Sequence, residues 1–141
     1  YALASSRVGY MLAHKNIINM VAKTYMPYHI NVPSLVTADT VFQMRSEFEP
    51  QIQMICAERE RMQEKYSLLD SVTVYPSHAN FILLHYPHAE ALNKEFLKCG
   101  IGVRSFGKAP QLENMLRISI GRADENDEVY RVMKFFVEEN P

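Results

Sequence analysis

The hydrophobic period of this chain changes once, near residue 70, and that change limits the folds open to it. Upstream, Leu35, Ala38, Phe42, Phe48, Ile52, Ile55, Met62, Tyr66 and Leu69 recur mostly every three or four residues, the rhythm of a helix with one apolar side. Ser34, following Pro33, predicts the N-cap, and Pro50 predicts a break or a bend within 34–69. Downstream, Val72, Val74 and the run Phe81-Ile82-Leu83-Leu84 are β-like, separated by Pro76-Ser77-His78. A helical pattern returns over 89–98, with Ala91, Leu92, Phe96 and Leu97 on one side and Gly100 placed to stop it. Ile101 to Arg104 reads as a short strand, 105–114 as a loop, and Leu116 to Ile120 as another strand ended by Gly121. Asp124, Glu125 and Asp127 then lie in the first turn of a last helix, where negative charge suits the positive end of the dipole. Val129, Val132, Met133, Phe136 and Val137 give that helix an apolar stripe. Residues 34–141 therefore predict a complete small α+β domain.

Residues 1–33 predict something less complete. The run RVGYMLA at 7–13 reads as a buried strand, 15–25 as a helix carrying Ile17, Ile18, Val21 and Ala22, and Met26 to Pro33 as a connector with two prolines. A lone strand and helix cannot bury both faces of the strand, and a single strand has no pairing partner. The segment is expected to be a piece of a larger sheet, leaving apolar surface exposed. With 141 residues, 48% of them hydrophobic, the chain has enough apolar material for one domain core.

Several function classes are disfavoured. Fifteen Lys+Arg against sixteen Asp+Glu give a formal net charge of -1, so bulk attraction to nucleic acid or to an anionic membrane is not expected. No apolar run reaches the roughly 18 residues of a membrane span. The start of the chain does not read as a secretory leader, and Cys56 and Cys99 have no metal-like or paired spacing. Both cysteines read as small buried apolar groups, and a reducing, cytoplasmic setting is expected. The five histidines share no metal-site spacing, so no metal is expected. The run Glu58-Arg59-Glu60-Arg61 reads as a solvated helix face with local ion pairs.

Three arginines are more informative. Arg7, Arg104 and Arg117 each stand at the edge of, or inside, an apolar strand-like run. A guanidinium stays charged, so in apolar surroundings it needs a carboxylate or another anion. Its planar fork suits phosphate and carboxylate bidentately. A structural salt bridge would satisfy any one of them, but three in one chain point to an anion-binding cleft.

The residues also carry a resemblance. ALASSRVGYMLA at 2–13 resembles the segment that follows the Schiff-base lysine in fold-type-I, pyridoxal-phosphate-dependent aminotransferases. PYHINVPS at 27–34, AERERM at 57–62, YPSHANFILL at 75–84, CGIGVRSF at 99–106 and ENMLRISIGRADEN at 113–126 resemble, in order, further motifs of histidinol-phosphate aminotransferases. The resemblance implies the C-terminal part of such an enzyme: an end piece of the large α/β domain and connector in 1–33, and the whole small domain in 34–141.

It also implies roles. Arg7 stands where the family binds the cofactor phosphate, which would put the lysine two residues before Tyr1 and leave this chain by itself inactive. Lys15, Lys23, Lys65, Lys94, Lys98, Lys108 and Lys134 do not stand in that lysine's position and are expected to be solvated. Arg117 would hold the substrate carboxylate or phosphate, Arg104 would be a second contact for the substrate phosphate, and Asn80 lies on the strand beside the site. Tyr28 and Asn31 belong to a connector that approaches the neighbouring subunit's site, so a homodimer is implied. Ser5-Ser6 departs from the small residues, often Gly-Leu, that precede the family's arginine. The implied reaction is transfer of an amino group from histidinol phosphate to 2-oxoglutarate in histidine biosynthesis. Two alternatives stay open: a threonine-phosphate decarboxylase or another aminotransferase of the same fold, and a non-catalytic α+β interaction module.

Overall fold

The computed structural model describes residues 3–140; Ala2, the first residue of the resembling segment at 2–13, lies outside them. Spatial contacts divide the chain after Pro50 into two units. Each is taken by itself.

In the first unit, a single 3-10 turn at Ala4–Ser6 is followed by non-helical backbone, helix α1 (Lys15–Ala22) and helix α2 (Val32–Gln43). The strand expected at 7–13 does not form. Nothing pairs with it among the described residues, and Tyr10 and Leu12 are 85% and 88% exposed. Helix α1 is capped by His14, whose Nδ1 accepts from Asn16 N–H at 3.3 Å. Helix α2 is capped by Asn31 and not by Ser34: Asn31 Oδ1 accepts from Ser34 N–H at 2.9 Å, and Pro33 sits in the first turn, where its missing N–H costs nothing. Ser34 alone is buried among the described residues of this unit.

Helix α3 (Arg45–Ser67) begins in the first unit and continues into the second. The interruption of the long helical segment falls at Met44, with φ -90° and ψ 15°, and Pro50 lies inside α3. Pro50 keeps helical φ and removes one bond near the exposed start of the helix, a smaller disruption than a mid-helix proline makes.

The second unit adds strands β1 (Thr73–Val74) and β2 (Phe81–His85), helix α4 (Ala89–Lys98), strands β3 (Arg104–Ser105) and β4 (Met115–Ser119), and helix α5 (Ala123–Glu139). The four strands form one antiparallel sheet in the order β1-β2-β4-β3. Alternation along β2 and β4 turns Ile82, Leu84, Leu116 and Ile118 to one face, where they are 3% exposed or less. Met62 and Tyr66 of α3, Leu92 and Phe96 of α4, and Val132, Met133 and Val137 of α5 join them in one core cluster. Burying each such side chain stabilises by about 1.5–3 kcal/mol. Helix α4 stops at Gly100, whose φ of +74° favours glycine. Ile101 N–H donates to Phe96 O at 2.8 Å and Gly100 N–H to Leu97 O at 3.1 Å, which satisfies two end carbonyls of the helix.

Candidate anion-binding face

The same alternation that buries Leu116 and Ile118 turns Arg117 outward, between Met115 and Ser119. Register places Arg117 directly opposite Leu83 of β2 and Arg104 of β3. Residues opposed across an antiparallel pair have Cβ atoms about 5 Å apart, and like charges there repel. Both side chains are exposed, and neither makes an ion pair or side-chain hydrogen bond among the described residues. Arg117 stands over the Phe81 ring at 5.2 Å and Arg104 over Phe106 at 5.8 Å. An aromatic face attracts a guanidinium without occupying its N–H groups. Other arginines of this unit are spent on carboxylates: Arg61 on Glu58 and Asp127, Arg122 on Asp124, Arg131 on Glu128. The outward sheet face thus concentrates two uncompensated guanidinium groups that can grip one anion together.

Asn80 precedes β2 by one residue and is out of phase with the outward Phe81, Leu83 and His85. Its carbonyl accepts from Ile120 N–H at 2.9 Å, while its exposed side chain makes no hydrogen bond among the described residues. The remaining candidates lie in the first unit. Arg7 is exposed at a left-handed φ of 56° and makes no ion pair among the described residues. Tyr28 is 97% exposed, also at positive φ. Asn31 spends its Oδ1 on capping α2.

The run 58–61 is not a solvated face. Glu60 is exposed, but the side chains of Glu58 and Arg59 are only 14% and 9% exposed. Arg61 grips both oxygens of Glu58, at 2.9 and 2.7 Å. Glu58 Oε2 also accepts from Asn126 Nδ2 at 2.8 Å, and Arg61 and Lys65 both donate to Asp127 Oδ1. The bonds from Arg61 and then Asn126 hold the Glu58 carboxyl below its ordinary value; those from Lys65 and then Arg61 do the same for Asp127. Lys65 is therefore tied down as well as solvated. Two sequence signals foretold this: Arg59 occupies a position of the apolar stripe Ile55, Met62, Tyr66, Leu69, and Asn126 is a poor helix-interior residue unless its side chain is engaged. Cys56 is half-buried; Cys99, expected to be buried, is exposed at the end of α4, where the Gly100 turn carries it off the apolar side. Both are free thiols. Among the described residues, no cluster of ligating side chains suits a metal, and no helix is long and apolar enough to cross a membrane.

The family model for aminotransferase class I and II matches residues 1–133. A histidinol-phosphate aminotransferase of Hydrogenobaculum sp. is 35% identical over 133 residues, covering 94% of this chain and 38% of that relative. The chain thus spans well under half the length of the curated relative it matches. The crystal structure of the L-threonine-O-3-phosphate decarboxylase of Porphyromonas gingivalis superposes with a TM-score of 0.77 at 24% identity, over 98% of this chain and 44% of that one. The histidinol-phosphate aminotransferase of Sinorhizobium meliloti, solved in complex with pyridoxal-5'-phosphate, superposes with a TM-score of 0.75 at 22% identity, over 100% of this chain and 39% of that one. The antiparallel sheet with its covering helices is shared with both structures.

Proposed function

The chain belongs to the class I and II aminotransferases, and from that footing we propose that it supplies the substrate-anion and cofactor-phosphate contacts of a pyridoxal-phosphate enzyme acting on histidinol phosphate. One observation carries the reading: Arg104 and Arg117 are cross-strand neighbours, outward-facing, propped on aromatic rings and without carboxylate partners. Two guanidinium forks side by side match the oxygens of a phosphate monoester. They would bind it, orient the substrate relative to the reacting carbon and lower the entropy cost of reaction.

Arg7 fits the cofactor's phosphate as an exposed cation with no carboxylate partner among the described residues. When bound, pyridoxal phosphate serves as the electron sink for the substrate carbanion. The proton transfers of the reaction fall to a lysine that the family resemblance puts outside these residues, so we read this chain alone as inactive. Tyr28, almost fully exposed, and Asn31 are read as facing a second subunit's site in a homodimer. A cytoplasmic setting accords with the two free thiols.

Binding of histidinol phosphate, followed by calorimetry with histidinol as the phosphate-free control, tests the reading. The expected result is saturable binding that Arg117→Ala weakens by at least about tenfold, the scale of one charge-assisted contact, and that histidinol does not reproduce. Equal binding of histidinol would refute it. The threonine-phosphate decarboxylase fold neighbour supports a second reading, in which O-phosphothreonine competes better than histidinol phosphate.

A further inference from the structure

Arg59 and Glu58 present a problem of cost. A guanidinium whose side chain is only 9% exposed has an unpartnered, buried Nε, and its nearest carboxylate, Glu60, lies 3.7 Å away in solvent. A buried charge with one long ion pair to an exposed carboxylate is costly, and an apolar side chain of similar volume often serves a core as well or better. What the group does hold is backbone. Arg59 Nη1 donates to Ala79 O at 3.3 Å, and Cys56 Sγ stands 3.9 Å from the same nitrogen. Ala79 belongs to the turn closed by Ser77, whose hydroxyl donates to Phe81 O at 2.6 Å and accepts from Ala79 N–H at 3.1 Å. The next residue is Asn80, whose carbonyl receives Ile120 N–H.

Glu58 reaches the same rim from the other side. It holds Asn126, only 4% exposed, which clasps Gly121 twice: Oδ1 accepts Gly121 N–H at 2.9 Å, and Nδ2 donates to Gly121 O at 3.0 Å. A Cβ at Gly121 would lie 2.5 Å from Glu125 Oε2, the end of a flexible side chain that would have to swing aside. Two adjacent residues of α3 therefore hold the segments that flank the two central strands, Arg59 the turn just before β2 and Glu58, through Asn126, the residue Gly121 just beyond β4, and β4 carries Arg117.

We propose that Glu58 and Arg59 are positioning residues: a clamp on the Asn80–Gly121 rim that fixes β4, and with it Arg117, for anion binding. The clamp rests on the anion-binding reading of the Arg104–Arg117 face. It gives the buried cation a role that an apolar residue in its place could not fill.

The test uses the full chain with Arg59→Met, the rescue variant Arg59→Lys, and Glu58→Gln as an independent lesion should the methionine variant fail to fold. Amide exchange of Ile120 and Gly121 reports the rim, inorganic phosphate titrated against the Arg117 side-chain signal reports the face, and urea unfolding reports the core. Arg59→Met is expected to speed Ile120 exchange about tenfold, the loss of one hydrogen bond's protection. It is also expected to weaken phosphate binding at least threefold, with the unfolding midpoint held; Arg59→Lys restores both. Glu58→Gln is expected to speed Gly121 exchange and weaken phosphate binding in the same way. Unchanged rim exchange, or faster exchange with unchanged phosphate affinity, overturns the clamp; so does a lowered midpoint with no local change. If the unsubstituted chain shows no phosphate-dependent shift, the anion reading falls, and the exchange arm still decides whether α3 holds the rim.

Discussion

Leu84 and Leu12 are the same residue in non-helical backbone, yet Leu84 is 0% exposed and Leu12 is 88% exposed. Leu84 lies in β2, paired on both sides by β1 and β4, and three helices cover its face. Leu12 lies in a stretch whose described surroundings offer neither a pairing strand nor a covering layer. The two units are held by different means. Beyond residue 50 the sheet, core and buried polar contacts are non-local. Before it, the hydrogen bonds that give shape are caps and turns between residues two to four apart, as at His14–Asn16 and Asn31–Ser34. Local bonds fix a helix end but bury little apolar surface, so the first unit leaves Tyr10, Leu12, Met26 and Tyr28 in water. The uncompensated arginine pair stands on the unit whose backbone is fixed by long-range contacts, as a site demanding geometry requires.

Substitutions can break or sharpen this contrast. The largest effect is expected from Leu84→Ala, which opens a cavity and should lower unfolding stability by about 2–5 kcal/mol, while Leu12→Ala should stay within about 0.5 kcal/mol. Urea unfolding of both variants decides; equal losses would mean that the first unit hides a core of its own. Next, Asn31→Ala removes a helix cap and should cost about 1 kcal/mol, confined to α2. The loss should show in amide exchange at Ser34 and leave the second unit's unfolding midpoint in place.

A pH effect comes third. Glu58 and Asp127 have depressed carboxyl values in the folded chain, so their bonds stabilise fully above the ordinary carboxylate range. That contribution should fade as pH falls through that range toward the lower folded values. Unfolding midpoints from pH 6 down to 3 should drop, and Glu58→Gln should flatten the curve. The smallest effect is expected from Lys98→Ala, which removes an exposed i,i+3 pair with Glu95 and should leave the midpoint where it was.

Much of the second unit could be read from residues alone. Helix α4 showed its Gly100 stop and half of its apolar side, since Leu92 and Phe96 are buried while Ala91 and Leu97 are exposed, and the alternation of Leu116-Arg117-Ile118 already set Arg117 apart from the core. The pairing of Arg117 with Arg104 was not legible, because register depends on how the loop 106–114 closes. The 7–13 run misled for a physical reason: a short apolar stretch is compatible with a strand, but pairing decides, and pairing is not local. Pro50 misled because proline in the second turn of a helix removes a single bond, whereas Met44, at φ -90° and ψ 15°, is where α2 ends. The polar contacts under Glu58 and Arg59 were written as a charged run, in which the place of Arg59 on the apolar stripe was the sign of its burial, while the partners of Glu58 came only with the packing of α3 against α5.

The most direct test follows the side-chain Nε–H signals of the arginines by NMR while histidinol phosphate is added to the chain. The account predicts that Arg104 and Arg117 shift together along one saturation curve, while Arg122 and Arg131, already paired with carboxylates, stay in place. Equal shifts at all four, or no shift at Arg104 and Arg117, would contradict it.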